Sequence, residues 1–195
     1  GRQLIQQLIN SDDIKTVTSI GRRPVLEGKS HEKLFDVVID SFSRLKETED
    51  FWKESDVFFN CIGTTKKKAG GADQFHNIEY GISNEAARVA SKSNIPHASL
   101  ISASGANHKL WAKKWIHPLF YSKTMGEKEQ TILSSHSFKY TSIFKPGMLI
   151  RHMDKNSIYD KILKITGTGL SVEILAKAMI NDVENVLLNK RQVKN

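Results

Sequence analysis

Short β-branched runs alternate with helical stretches along this chain, and that alternation narrows the available folds more than any other feature. Thr16-Val17-Thr18-Ser19-Ile20 stops at Gly21, and Leu34 to Ile39 stops at Asp40. Asp56 to Ile62 stops at Gly63, Ala98 to Ser102 stops at the small cluster Ala103-Ser104-Gly105-Ala106, and Tyr140 to Phe144 stops before Pro146-Gly147. Between these runs the apolar spacing is helical. Leu4, Ile5, Leu8 and Ile9 make one stripe, and Phe75, Ile78, Ile82, Ala86, Val89 and Ala90 make another over 72–93. Further helical patterns cover 120–134, 158–165 and 172–188. Strands of this length alternating with helices predict an α/β fold, a parallel sheet covered on both faces. With 195 residues, no internal repeat and no Ser- or Pro-rich linker, one domain over 1–195 is expected, with 150–195 as a short helical C-terminal segment.

Composition removes several classes. No apolar run approaches the roughly 18 residues of a membrane span. The single cysteine, Cys61, excludes an intramolecular disulfide framework and a Cys-based zinc site. The seven histidines show no ligand spacing on one face, so no metal site is expected. The net charge of +8 raises nucleic acid or an anionic membrane surface as partners. The positive residues are scattered from Arg2 to Lys194, however, and the densest run, Lys66-Lys67-Lys68 beside Gly70 and Gly71, reads as a loop. That distribution suits small polyanions better than nucleic acid, which is not expected as a partner.

In open parallel sheets, chemistry sits beyond the carboxyl ends of the strands. There the sequence places Gly21-Arg22-Arg23-Pro24, Asp40, Ile62-Gly63-Thr64-Thr65, Ser102 with Ser104, and Lys145-Pro146-Gly147. Small residues that admit a close backbone approach, beside two guanidinium groups, suit a phosphorylated dinucleotide. Asp40 reads equally as a carboxylate near an adenine amino group or as a strand-ending cap. Cys61 reads as core. The aromatic and basic stretch from Asn107 to Pro118 reads as a substrate lid, a partner surface or ordinary loop packing.

Taken in order, GRQLI, IGRRP, CIGTTKKKAGG, LISASGAN, YSKTMGE and FKPGMLI resemble the atypical short-chain dehydrogenase/reductases, most closely their Tat-interacting oxidoreductase branch. The resemblance implies a Rossmann-like, doubly wound parallel sheet. Its first, central strand and most of its glycine-rich turn are expected upstream of Gly1, which matches the last glycine of that turn. It also implies NADPH as cofactor, with Arg22 and Arg23 on the ribose 2′-phosphate and Ile62, Gly63 and Thr64 beneath the adenine ribose and pyrophosphate. Asp40 matches the position near adenine, and Leu149 one close to the nicotinamide. Tyr121 is implied as the proton donor and acceptor, touching the cofactor as well, and Ser102 as the group that orients the substrate oxygen.

The sequence departs from that pattern at one place. The family carries a lysine four residues after the tyrosine, and here that residue is Met125. Lys123 points to the other side of the helix, and Lys128 lies about 10 Å farther along it. Two functions therefore stand side by side. The first is an NADPH-dependent oxidoreductase acting on a carbonyl or alcohol. The second is an NADPH-binding regulatory protein that engages a protein partner with little or no turnover. A cytoplasmic location is expected, with nuclear or mitochondrial-surface association left open.

Overall fold

Five parallel strands and the helices around them are arranged as two half-sheets with a slot between. The computed structural model describes residues 1–27, 29–150 and 169–193. Helix α1 (Arg2–Ile9) leads to β1 (Val17–Gly21) and β2 (Leu34–Val38), followed by a 3-10 helix over Phe42–Trp52. β3 (Val57–Asn60) is followed by the short helices α2 (Lys66–Ala69) and α3 (Ala72–His76), a π-helical turn (Asn77–Ile82) and α4 (Ser83–Lys92). Then come β4 (His97–Ile101), α5 (His117–Ser135), β5 (Tyr140–Phe144), β6 (Met148–Ile150), β7 (Gly169–Ser171) and α6 (Val172–Val193).

All strand pairs are parallel. β1 pairs with β2 from Val17↔Leu34 to Gly21↔Val38. β4 pairs with β3 on one side and β5 on the other, with Leu100 opposite both Asn60 and Ile143. β6 and β7 form a separate pair. β1 and β3 do not pair, and no described strand lies between them. A cavity of about 2030 Å³ runs there, lined by both strands.

Two apolar layers cover the sheets. On one face Leu45, Trp52, Ala86, Val89, Ala90 and Ile132 pack from the 3-10 helix, α4 and α5 against Phe58, Ala98 and Leu100. On the other, Leu4, Leu8 and Ile9 of α1 pack with Leu175, Ala176, Met179 and Ile180 of α6 and Val17. Fully burying such a side chain stabilises the fold by roughly 1.5–3 kcal/mol. The expected two-faced α/β layering is thus present, with strand ends within two residues of the sequence reading.

Three local features differ from that reading. Lys66-Lys67-Lys68 is helical rather than a loop, because the Thr65 side chain accepts from the Lys68 N–H and Gly70, at φ 85°, ends the turn. The 3-10 helix and the short pair β6–β7 carry too little periodicity to be read from sequence. The helical pattern expected over 158–165 lies outside the described residues.

Candidate functional site

The carboxyl ends of β1 and β3 open onto the long cavity. Gly1, Arg22, Arg23, Ile62, Gly63 and Thr64 all line it. Gly1 caps the N-terminus of α1, whose N–H groups and dipole favour an anion. The turn after β1 is fixed by Asp36 of β2, whose Oδ2 accepts from the Val25 N–H at 2.7 Å. Arg22 and Arg23 are exposed beyond it. The Arg22 guanidinium carbon lies 5.5 Å from the centre of the Phe42 ring. Among the described residues no carboxylate is paired with either arginine, so the donor set fits a phosphate. Asp40, by contrast, is exposed, pairs with Arg44 at 3.3 Å and does not line the cavity.

The turn after β3 is held from beneath. Asn60, almost wholly buried, accepts from the Ile62 N–H at 3.2 Å. Glu79, in the π-helical turn, accepts from the Thr64 N–H at 2.7 Å. Lys128 of α5 donates to the Ile62 carbonyl at 2.9 Å and to Glu79 Oε2 at 3.3 Å. Both side chains of this ion pair are buried, at 1% and 5% exposure. Desolvation lowers the Lys128 pKa from the ordinary lysine value, and Glu79 opposes that shift. Gly63 leaves room for this carboxylate: a Cβ there would stand 3.3 Å from Glu79 Oε1, a tight contact.

Ser102 follows β4 and Tyr121 lies in α5, each with its own contacts. The peptide N–H of Ser102 continues the β4–β5 ladder by donating to the Phe144 carbonyl at 2.8 Å. The Ser102 hydroxyl donates to Glu129 Oε1 at 2.5 Å, and Lys145 contacts Glu129 Oε2 at 3.0 Å. Tyr121 lies in the first turns of α5, its ring 5.8 Å from that of Phe75 and 6.3 Å from that of His117. Eight residues separate Tyr121 from Glu129, about 12 Å along the helix. Met125, between them, is buried at 3% exposure. Leu149 packs on the α1–α6 apolar layer. Gly1, the arginine pair and the 62–64 turn line this long cavity; Tyr121, Ser102, Asp40 and Leu149 do not.

Sequence reasoning missed Asp36, Glu79 and Glu129, and read Lys128 only as a failed replacement for the family lysine. Two of these carried a signal. Glu79 falls four residues after Phe75 on the apolar stripe, and Lys128 falls in the register of Met125 and Ile132. A charge in a core register calls for a buried partner.

Among the described residues no three His, Cys, Asp or Glu side chains gather as a metal site. No helix among them is long and apolar enough to cross a membrane.

No protein-family model matches the chain. "Protein FMP52, mitochondrial" of Debaryomyces hansenii is 33% identical over 167 residues, covering 83% of this chain and 69% of that protein. "Protein HTATIP2" of Rattus norvegicus is 29% identical over 151 residues, covering 77% of this chain and 58% of that one. The chain thus spans 58–69% of the length of these two relatives. The crystal structure of the Bordetella bronchiseptica enzyme WbmH in complex with NAD+ superposes with a TM-score of 0.70 at 12% identity, over 94% of this chain and 68% of that one. The parallel half-sheets and their two helical layers therefore have the Rossmann fold of NAD(P)-binding oxidoreductases. The chain belongs to the FMP52 family, within the atypical short-chain dehydrogenase/reductase-like proteins.

Proposed function

We propose that this chain forms the NADPH-binding part of a short-chain oxidoreductase acting on a carbonyl or alcohol. The observation that carries the proposal is the lining of one cavity by a helix N-terminus, the 62–64 turn and two arginines that have no carboxylate partner among the described residues. An NAD-selective site places an acidic side chain at the arginine position to accept from the ribose 2′-hydroxyl, whereas guanidinium forks hold a 2′-phosphate. Arg22 and Arg23 would take that phosphate, and Ile62, Gly63 and Thr64 would face the ribose and pyrophosphate. Asp40 would lie toward the adenine and Leu149 toward the nicotinamide. When bound, the cofactor supplies or accepts the hydride. The Tyr121 hydroxyl would donate the proton to a carbonyl oxygen, or remove it from an alcohol, and Ser102 would orient that oxygen.

Replacing both arginines by alanine tests this reading by calorimetry. Charged hydrogen bonds contribute about 1.5–3 kcal/mol, so NADPH affinity is expected to fall about 10- to 100-fold with NADH nearly unchanged. Equal losses for both nucleotides refute the 2′-phosphate assignment.

Two observations favour a second reading, cofactor binding that shapes a protein-interaction surface without turnover. The buried Met125 stands where the family lysine is implied, and the single proton of the Ser102 hydroxyl is directed to Glu129. A thioether neither stabilises a tyrosinate nor donates to a ribose hydroxyl. Reduction of a broad carbonyl panel separates the two. Activity in the parent that Tyr121→Phe abolishes supports the enzyme. An inactive parent in which Met125→Lys creates activity supports the regulator.

A further inference from the structure

From Glu85 to Glu127 the chain contains no acidic residue between those two, while Arg88, Lys92, Lys109, Lys113, Lys114 and Lys123 fall within the interval. The middle of this stretch is the loop between β4 and α5, and it is aromatic as well as basic. Trp111 is 70% exposed and Trp115 74%. Leu119, in the first turn of α5, is exposed beside them. Neither tryptophan is packed as a core residue, which removes ordinary loop packing as the account of this segment. The Lys113 ammonium stands 5.5 Å from the Trp111 ring centre. Helix α2 borders the same region: Lys66, Lys67, Gly70 and Gly71 share an open pocket with His117. Lys67 and Lys68 are exposed there. Among the described residues the one ion pair of this face joins Lys114 to Asp73.

We infer that the loop before α5 and the first turn of that helix, residues 105–119, together with helix α2, are a docking face for an anionic lipid surface. Indole rings prefer the boundary between hydrocarbon and headgroups, where the apolar body is buried and the N–H stays wet. Lysine stems lie along apolar surface while their ammonium groups reach outward to phosphate or carboxylate headgroups. The order Lys109, Trp111, Lys113, Lys114, Trp115 interleaves the two chemistries within one loop. A purely electrostatic partner, such as an acidic protein segment, would use the lysines and leave two tryptophans and a leucine exposed to water. A bilayer covers both.

The test uses the full chain, sedimented with phosphatidylcholine vesicles with and without phosphatidylserine, while tryptophan emission is recorded. Trp52 is buried and gives a constant background. Expected results are binding only to the phosphatidylserine vesicles, weakening at high salt, and a blue shift of emission on binding. Each of Lys67→Gln, Lys109→Gln and Lys113→Gln is expected to lower vesicle affinity about fivefold, the factor equivalent to about 1 kcal/mol per lysine near an anionic surface. Trp111→Ser with Trp115→Ser is expected to lower it at least about tenfold, from burial of even part of each ring. These side chains are exposed, so the circular dichroism melt stays unchanged and confirms folded variants. Absence of binding, or equal binding to neutral vesicles, overturns the inference. Binding that needs the lysines but survives loss of both tryptophans with no emission shift also overturns it, and assigns the face to an acidic macromolecule.

Discussion

Replacing Lys128 by methionine removes the cation from beneath the 62–64 turn while filling nearly the same volume. Glu79 keeps its bond from the Thr64 N–H at 2.7 Å but loses its ammonium partner, and the Ile62 carbonyl loses a donor that stood at 2.9 Å. Breaking a buried ion pair from one side costs about 3–5 kcal/mol, because a charge is left without compensation. The surviving Thr64 bond puts this variant at the lower end, about 3 kcal/mol, or about 6–12 °C in Tm for a domain of this length. Urea denaturation of the full chain, followed by far-UV circular dichroism, measures the deficit. Glu79→Gln combined with Lys128→Met removes both charges and is expected to recover most of the loss. A deficit under about 1 kcal/mol, or no recovery in the double variant, refutes the reasoning.

Gly126→Ala tests how the loop after β4 seats on α5. A Cβ at 126 would stand 2.7 Å from Asn107 Cα, and closer still to the Asn107 carbonyl carbon and the His108 nitrogen. Overpacking of this kind costs about 1–3 kcal/mol, read as a lowered Tm, and an unchanged melt would show that the loop moves aside freely. Thr124→Val tests a buried hydroxyl with no partner among the described residues. Its removal is expected to be neutral or to stabilise by up to about 1 kcal/mol in denaturant unfolding, and a clear loss would mean that the hydroxyl is bonded.

The strands were legible because each β-branched run ends at a residue that stops it: Gly21, Asp40, Gly63 or the pair Pro146-Gly147. The long helix after β3 was legible from its apolar stripe, although its middle is π-helical and its first turns are separate helices. Contacts between distant residues were not. Glu79 and Lys128 are 49 positions apart, and Ser102 and Glu129 are 27 apart. Local periodicity marks each charge as out of place on an apolar face but does not name its partner. The sequence likewise left three accounts of the 107–118 loop open, and the exposure of Trp111 and Trp115 excludes one of them.

Helix α5 also separates two tasks that one cation is implied to combine in the family pattern. A lysine four residues after the tyrosine would act on the tyrosine and on the nicotinamide ribose together. In this chain that position holds buried Met125, and a cation appears three residues later, about 4.5 Å deeper along the helix. There it bonds the Ile62 carbonyl and Glu79, so its charge holds a backbone turn rather than a reacting group. Cofactor binding and turnover should then respond to different substitutions. Lys128→Met is expected to weaken NADPH binding by loosening the turn, with Glu79→Gln in the same chain restoring stability but not the bond from Lys128 to Ile62. Met125→Lys is expected to leave that turn intact and to act only on turnover. If instead Lys128→Met abolished hydride transfer while NADPH affinity stayed unchanged, the deeper lysine would be serving Tyr121 after all, and the division between a cation for binding and a position for turnover would fail.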